Sequence, residues 1–481
     1  MKLILLCIVL PIFLPGLNAQ NTFSLGTPEE DTGNAITQYD NRFFIIGTTR
    51  KTSTSATDYY MVEINEKGKV EHQFNFGGPH TDVGKDIVVK EDGIFIFGKT
   101  WDGGYWNNDM FLYKLRFDGT LLWSKFYGSN GNDFGHKFSE TKDGGFVMIG
   151  HKRSDGNLGD VYIVKTDNKG EQIWENQFGG RYIDHGFDVI ENEQGEFIIV
   201  GTLGGFYNPS TFDFLNHDAD IFIIKTNAQG EKIWEKTYGG SSHEWAKKII
   251  AAPGGGYYIC GSTQSKGAGS FDMFLMKMDE DGNELWMKTY GGANFEYGES
   301  VQLNVENNLY LLGSSASFSE NKKPDHFLVK TDLNGNVIWE KTFGGEGSDY
   351  SASLVCLADS GCAFTGWTNR GTAGKKDIIL YKISKIGRPF AISDSVLIDD
   401  NTIVNVYPNP AVNFVKIEVI ANKESSYLFS LFDVNGRTVT QKQIRSNSIN
   451  RVPFKERSGI YFYKVENVDN TTYVGKLIIQ N

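Results

Sequence analysis

Four cysteines in 481 residues are too few for a disulfide scaffold, and one of them, Cys7, falls within the first 19 residues. Cys356 and Cys362 flank a hairpin turn, where an oxidising compartment would permit a bridge. The preferred reading makes these two and Cys260 small buried residues. Long apolar runs are missing beyond Leu14, which excludes a further helical membrane span. Helical periodicity never outlasts a turn or two, so the chain is neither α nor α/β. Positive charge is short: 47 Lys plus Arg face 59 Asp plus Glu, net −12, an unsuitable balance for nucleic acid or an anionic membrane. Nucleophile elbow, phosphate loop and cofactor fingerprint are all absent. The sequence therefore assigns no catalytic residue, no cofactor and no metal set.

What is present is a repeat. An aromatic-Gly or Leu-Gly pair recurs at Leu25-Gly26, Phe76-Gly77, Tyr127-Gly128, Phe178-Gly179, Tyr238-Gly239, Tyr290-Gly291 and Phe343-Gly344, with the glycines 51, 51, 51, 60, 52 and 53 residues apart. A second marker keeps step: Asp58, Asp109, Asp160, Asp220, Asp272, Asp325 and Asp377 each open an apolar run. Each unit holds four short β-branched and aromatic runs bounded by Asp-Gly or Asn-Gly turns, which read as strands A to D. A four-stranded unit alone exposes two edges and two faces; radial stacking of seven units solves both problems. The seventh copy ends after strand C, near Ile383, whereas Thr22–Gly26 resembles a strand D without its blade. The N-terminal segment is thus expected to complete blade seven. The expected fold is all-β, a seven-bladed β-propeller followed by a small C-terminal Ig-like β-sandwich.

Trp234-Glu-Lys-Thr-Tyr-Gly-Gly, then Gly255-Gly256-Tyr257 and Asp272-Met-Phe-Leu-Met-Lys, resemble the secreted bacterial β-propeller repeat family over about residues 22 to 384. That resemblance implies a fold and carries no catalytic residues. At the other end, Tyr407-Pro408-Asn409-Pro410, the block from Leu431 to Gly436-Arg437, the block opening at Gly459 and the terminal Lys476-Leu-Ile-Ile are similar to the type A C-terminal sorting domain of type IX secretion in Bacteroidetes-type bacteria. The resemblance implies export across the outer membrane, removal of the domain by a sortase-like protease, and release or attachment at the surface. Residues 1–19, with Lys2, an apolar run and Leu17-Asn18-Ala19, read as a secretory signal peptide. The expected division is 1–19 signal, 20–390 propeller, 391–402 linker and 403–481 sorting domain. The last of these holds ten Lys plus Arg against six Asp plus Glu, so the acidity lies in the repeats.

Residues shared by every blade point to the fold. An acid stands four residues after each second opening position: Asp31, Asp82, Asp133, Asp184, Glu244, Glu296 and Asp349. On D-to-A loops these carboxylates read as acceptors for backbone N–H groups; a cation-holding ring at the channel mouth is the alternative. The Gly-x-x-x-Trp of strand D is similar to the docking repeat of quinone-dependent dehydrogenases and to the Asp-box turn of sialidases. Without either family's active-site residues, it reads as inter-blade packing. His80, His136, His185 and His243 sit in successive D-to-A loops beside the repeated acids and read as chance neighbours, with a shared metal site as the alternative.

Residues that differ between blades point to function. Trp101, Trp106, Trp245 and Trp367 leave the repeat position and fall in or beside B-to-C and D-to-A loops, which emerge on one face. Tyr105 joins them, as do Phe206 and Tyr207 in the lengthened B-to-C loop of blade four. Aromatic loops on one rim suit a glycan or protein ligand. Two functions stay open: a non-catalytic recognition module, or a secreted hydrolase or lyase with its site at the channel mouth. A cluster of perturbed titratable groups in a deep site favours the second, and an open aromatic shelf the first.

Overall fold

The computed structural model describes residues 23–26, 29–50, 56–66, 68–77, 80–101, 108–129, 131–153, 159–180, 183–205, 207–208, 213–214, 219–319, 321–369, 375–390, 403–407, 411, 413–420, 425–433, 437–455, 457–467 and 472–479. The signal-peptide and linker segments expected at 1–19 and 391–402 lie outside them. Among the described residues no helix is long and apolar enough to cross a membrane.

Six repeats each form a four-stranded antiparallel sheet in chain order. Blade three is representative, with A at Asp133–Glu140, B at Phe146–Lys152, C at Asp160–Thr166 and D at Gln172–Phe178. Each strand A packs beside the next, and that of blade seven (Asp349–Cys356) returns to that of blade one (Asp31–Tyr39), which closes the ring. Closure at the outer edge of blade seven is composite. Phe23–Leu25 pairs antiparallel with strand C (Asp377–Ile383) in the register Phe23 to Leu380 and Leu25 to Ile378. Pro389–Phe390 covers the other end of the same strand, with Lys382 opposite Phe390. The N-terminal half of this latch is legible in the sequence; the C-terminal half carries no repeat signature.

Apolar clusters sit at the junctions between blades. Phe44, Ile46 and Met61 of blade one pack with Ile94, Ile96 and Phe111 of blade two. Leu25 joins a cluster shared by blades seven and one. The repeated glycines and tryptophans make the same junctions on the outside. At Gly170, φ is +77°, and the Asp167 carboxylate closes its turn by accepting the N–H groups of Lys169 and Glu171, both at 2.8 Å. A Cβ at Gly170 would stand 3.0 Å from the Trp123 ring of the preceding blade. The same stacking recurs between Trp174 and Gly230, Trp234 and Gly282, Trp286 and Gly335, and Trp339 and Gly387. Trp174 Nε1 also donates to Ala228 O at 3.1 Å. These rings are only half-buried.

Cys356 and Cys362 face each other across the A–B hairpin of blade seven as free thiols; Cys362 is buried and Cys356 half-buried. The C-terminal region forms two sheets, one of Ile403–Tyr407, Phe414–Ile420 and Ile449–Pro453, the other of Ser426–Phe432, Thr438–Arg445, Gly459–Asn467 and Thr472–Ile479. Val415, Ile417, Phe429, Leu431, Val465 and Leu477 from both sheets form one core. These seven strands make the small β-sandwich expected. Ile449–Pro453, which places only Val452 in the core, is the strand that no hydrophobic run announces.

Candidate functional site

Strand A follows one pattern, acid-x-small-x, with Gly at the third position in five blades, Ala246 in blade five and Ser351 in blade seven, and backbone alternation sends its members to opposite sides. The acids are buried in the blade junctions. They open strand A and turn away from the channel, so they form no ring at its mouth. In blades three to six a carboxylate oxygen accepts the backbone N–H four residues earlier, from Ser129, Gly180, Gly240 and Gly292 at 2.6–3.0 Å. The opening glycine lies between that acid and the strand C Asp: a Cβ at Gly77 would stand 2.6 Å from both Asp58 and Asp82. Burial, with a smaller push from a neighbouring Asp, raises the Asp133 and Asp184 carboxyls to about 6.

The two x positions are half-buried and face the channel. The second is the extra residue of a bulge present in every strand A. Going round from blade one, the bulge ring reads Asn34, Lys85, His136, Phe187, Lys247, Glu299 and Ala352. The ring nearer the D-to-A loops reads Thr32, Val83, Phe134, His185, Trp245, Tyr297 and Tyr350. No two blades present the same pair.

Blades five to seven build an aromatic arc. Ring centroids lie 4.8 Å apart for Trp245 and Phe271, 5.9 Å for Trp245 and Tyr297, and 5.0 Å for Phe295 and Tyr297. Tyr350 stacks on Trp367, its cross-strand partner, at 4.6 Å, with Lys376 Nζ 4.9 Å from the indole. Two of the tryptophans singled out from sequence therefore belong to this wall, each inside a strand. Trp101 ends strand B of blade two and contacts His80 at 4.6 Å, apart from the arc's contacts. Tyr105, Trp106 and Phe206 lie outside the described residues. The backbone at Tyr207–Asn208 pairs with Asp213–Phe214, a short ladder within the long loop of blade four. Sequence reading missed Phe134, Phe271, Phe295, Tyr297 and Tyr350. For three of these the available signal was position: each directly follows the repeated acid, on the channel side of the alternation.

Deeper in, the throat is cationic. Burial lowers Lys85 to about 8, helped by Lys99 and Lys247 and opposed by Glu299. Burial raises the Glu299 carboxyl, against the pull of Lys247 and Lys85. Lys247 Nζ lies 4.0 Å from the Phe187 ring. His136 and His185, on strands rather than loops, meet His151 of strand B, while His80 and His243 stay out of the cluster. One buried Ser–His pair has the wrong polarity for a nucleophile: Ser351 Oγ donates to Gly313 O at 2.6 Å and so faces His326 Nδ1, at 2.9 Å, as an acceptor. A crevice of about 190 Å³ opens between blades four and five and includes none of the channel residues above.

In the sandwich, Tyr407 ends the first strand, Gly459 opens the sixth, and the backbone of Lys476 pairs with that of Phe462. Pro408, Asn409, Pro410 and Gly436 lie outside the described residues.

The Secretion system C-terminal sorting domain family matches residues 405–480. No curated protein matches the chain. Among solved structures, it is similar to the β-propeller domain of the Trilobed protease from Pyrococcus furiosus, at 11% identity over 75% of this chain and 96% of that one, TM-score 0.42. The Neurospora crassa Pan2 WD40 domain matches at 12% identity over 76% and 96%, TM-score 0.40. A puromycin hydrolase matches at 8% identity, TM-score 0.49, over 82% of this chain, which spans only 58% of the hydrolase. The architecture rests on the strand ladders. The chain is a β-propeller protein that carries a secretion sorting domain. It is exported, secreted or held at the cell surface, through type IX secretion.

Proposed function

We propose that this chain is a non-catalytic recognition module that binds a glycan at the aromatic mouth of the propeller channel. The observation that carries this reading is the arc of Trp245, Phe271, Tyr297, Tyr350 and Trp367, half-buried rings on the channel wall. Flat rings offer sugar faces a stacking surface, and the cationic throat behind them suits a carboxylated or sulfated sugar. The division into signal 1–19, propeller 20–390, linker 391–402 and sorting domain 403–481 belongs to the same proposal, as does removal of the last part by a sortase-like protease. A glycan and protein binding screen with the chain from residue 20 tests it: retention of acidic polysaccharides is expected, and a protein ligand bound away from the channel would redirect it. A chain ending at Asn401 is expected to fold and stay in the periplasm; equal appearance in the medium would contradict the export route.

A second reading, a hydrolase or lyase, is favoured by one observation: Lys85 and Glu299, both shifted toward neutrality by burial, lie close enough in the throat to influence each other's charge, and His185 there is held neutral. Release of reducing ends or unsaturated products from acidic polysaccharides, abolished by Lys85→Ala or Glu299→Gln, would establish it over the first.

A further inference from the structure

We infer that His136, His151 and His185 form a binding site for one divalent transition-metal ion of the zinc, cobalt or nickel type in the channel wall of blades three and four. His136 is the bulge residue of strand A in blade three, His185 lies in strand A of blade four, and His151 lies in strand B of blade three, opposite Phe134. Their ring nitrogens converge: His151 Nδ1 stands 3.2 Å from His136 Nε2 and 3.0 Å from His185 Nδ1, and all three lie within 4.8 Å of one another.

Hydrogen bonding among the rings does not account for this arrangement. His151 Nδ1 carries either one proton or one lone pair, so it makes one good hydrogen bond, not two. A cation at the centre engages a lone pair from each ring at once. Zinc–imidazole bonds of about 2.0–2.1 Å in a tetrahedral site put ligand nitrogens about 3.3–3.4 Å apart, close to the two short separations.

The surroundings keep the rings ligand-ready. Burial holds all three in the neutral form, and the nearby cationic groups Lys85, Lys99, Lys247 and Arg153 reinforce it. Phe134 stacks on His151 at 4.6 Å and Phe187 on His185 at 5.7 Å, which fixes ring orientation. Three neutral nitrogens and no carboxylate select borderline ions over calcium or magnesium. The same lysines oppose a bare dication, so an anion (hydroxide or a carboxylate) is the expected fourth ligand, reached from the channel that His136 and His185 line.

The test uses the chain from residue 20 without a polyhistidine tag, stripped with chelator and titrated with Co²⁺. Expected is a visible ligand-field absorption that saturates at one equivalent, is displaced by Zn²⁺, and is lost in His151→Gln. His136→Gln, at a half-buried position on the channel side of its strand, should weaken binding at least tenfold with an unchanged melting curve, which keeps the test decisive if His151→Gln misfolds. His80→Gln and His243→Gln should bind as the parent does. No saturable one-equivalent absorption, equal binding by His136→Gln, or loss of binding in His80→Gln or His243→Gln would overturn the site.

Discussion

Blade junctions and channel wall are made by the same strand A, yet they obey opposite rules. On the junction side the blades repeat one another: each has a buried acid and a close-packed glycine or small residue, and on the outside blades two to six lay a tryptophan, and blade one Phe74, over the next blade's turn. On the channel side, three residues after the acid, the seven blades hold Asn, Lys, His, Phe, Lys, Glu and Ala. A repeat must solve the same packing problem seven times, so junction residues have little freedom. The wall has no such obligation, and its differences break the ring into an aromatic arc, a cationic throat and a histidine cluster.

Junction damage should therefore be severe and wall damage mild. The largest effect is expected at the latch. Deleting residues 20–26 removes Leu25 from its cluster and bares strand C of blade seven, at a cost on the order of 3–5 kcal/mol; an unchanged cooperative melt would refute closure by the N-terminal segment. Pro389–Phe390, covering the far end of that strand, should leave the truncated ring partly latched rather than open.

Next come the internal junctions. Gly77→Ala sets a methyl between two buried carboxylates and should cost about 2–3 kcal/mol. Trp174→Ala should cost about 2 kcal/mol, less than a fully buried tryptophan would, because its ring is half-exposed. Chemical denaturation of both variants measures this ranking.

The junction acids add a pH signature. Asp133 and Asp184 sit at about 6 in the folded chain against 3.8 for the free side chain. A raised folded value means that their stabilising contribution is complete below about pH 4 and is lost as pH climbs through about 6. Asp184→Asn should remove on the order of 1 kcal/mol of that decline, read as a flatter plot of melting temperature against pH. A variant as pH-sensitive as the parent would show that this carboxyl is ionised throughout.

The sequence made the junction rules legible because they recur: period, blade number, N-terminal closure and the packing role of the strand D tryptophans all follow from position. The sorting domain was legible for another reason, its ordered terminal motifs. The wall was largely hidden. Lys85 and Glu299 share the parity of the other channel residues, but at that position Lys85 is matched only by Lys247 and Glu299 by no other blade, so no recurrence marks them. His151 arrives from strand B, and no spacing links it to His136 or His185. Trp245 and Trp367 were found because they depart from the strand D tryptophan position; Tyr297 and Tyr350, at the same strand A position as Trp245, were missed because no repeat position is reserved for tyrosine against which they would stand out.

The smallest stability effects and the largest functional ones should meet at the arc. Trp245→Ala and Tyr297→Ala are expected to shift stability by less than about 1 kcal/mol each while weakening ligand binding several-fold, since stacking on one ring is worth on the order of 1 kcal/mol.

The most direct measurement compares acidic-polysaccharide binding by the parent chain, the Trp245→Ala/Tyr297→Ala pair and Trp174→Ala, all at a temperature where each is folded. Binding lost in the paired wall variant and retained in Trp174→Ala is the predicted result. Binding retained in the wall variant, or lost equally in Trp174→Ala, would contradict the assignment of recognition to the channel wall.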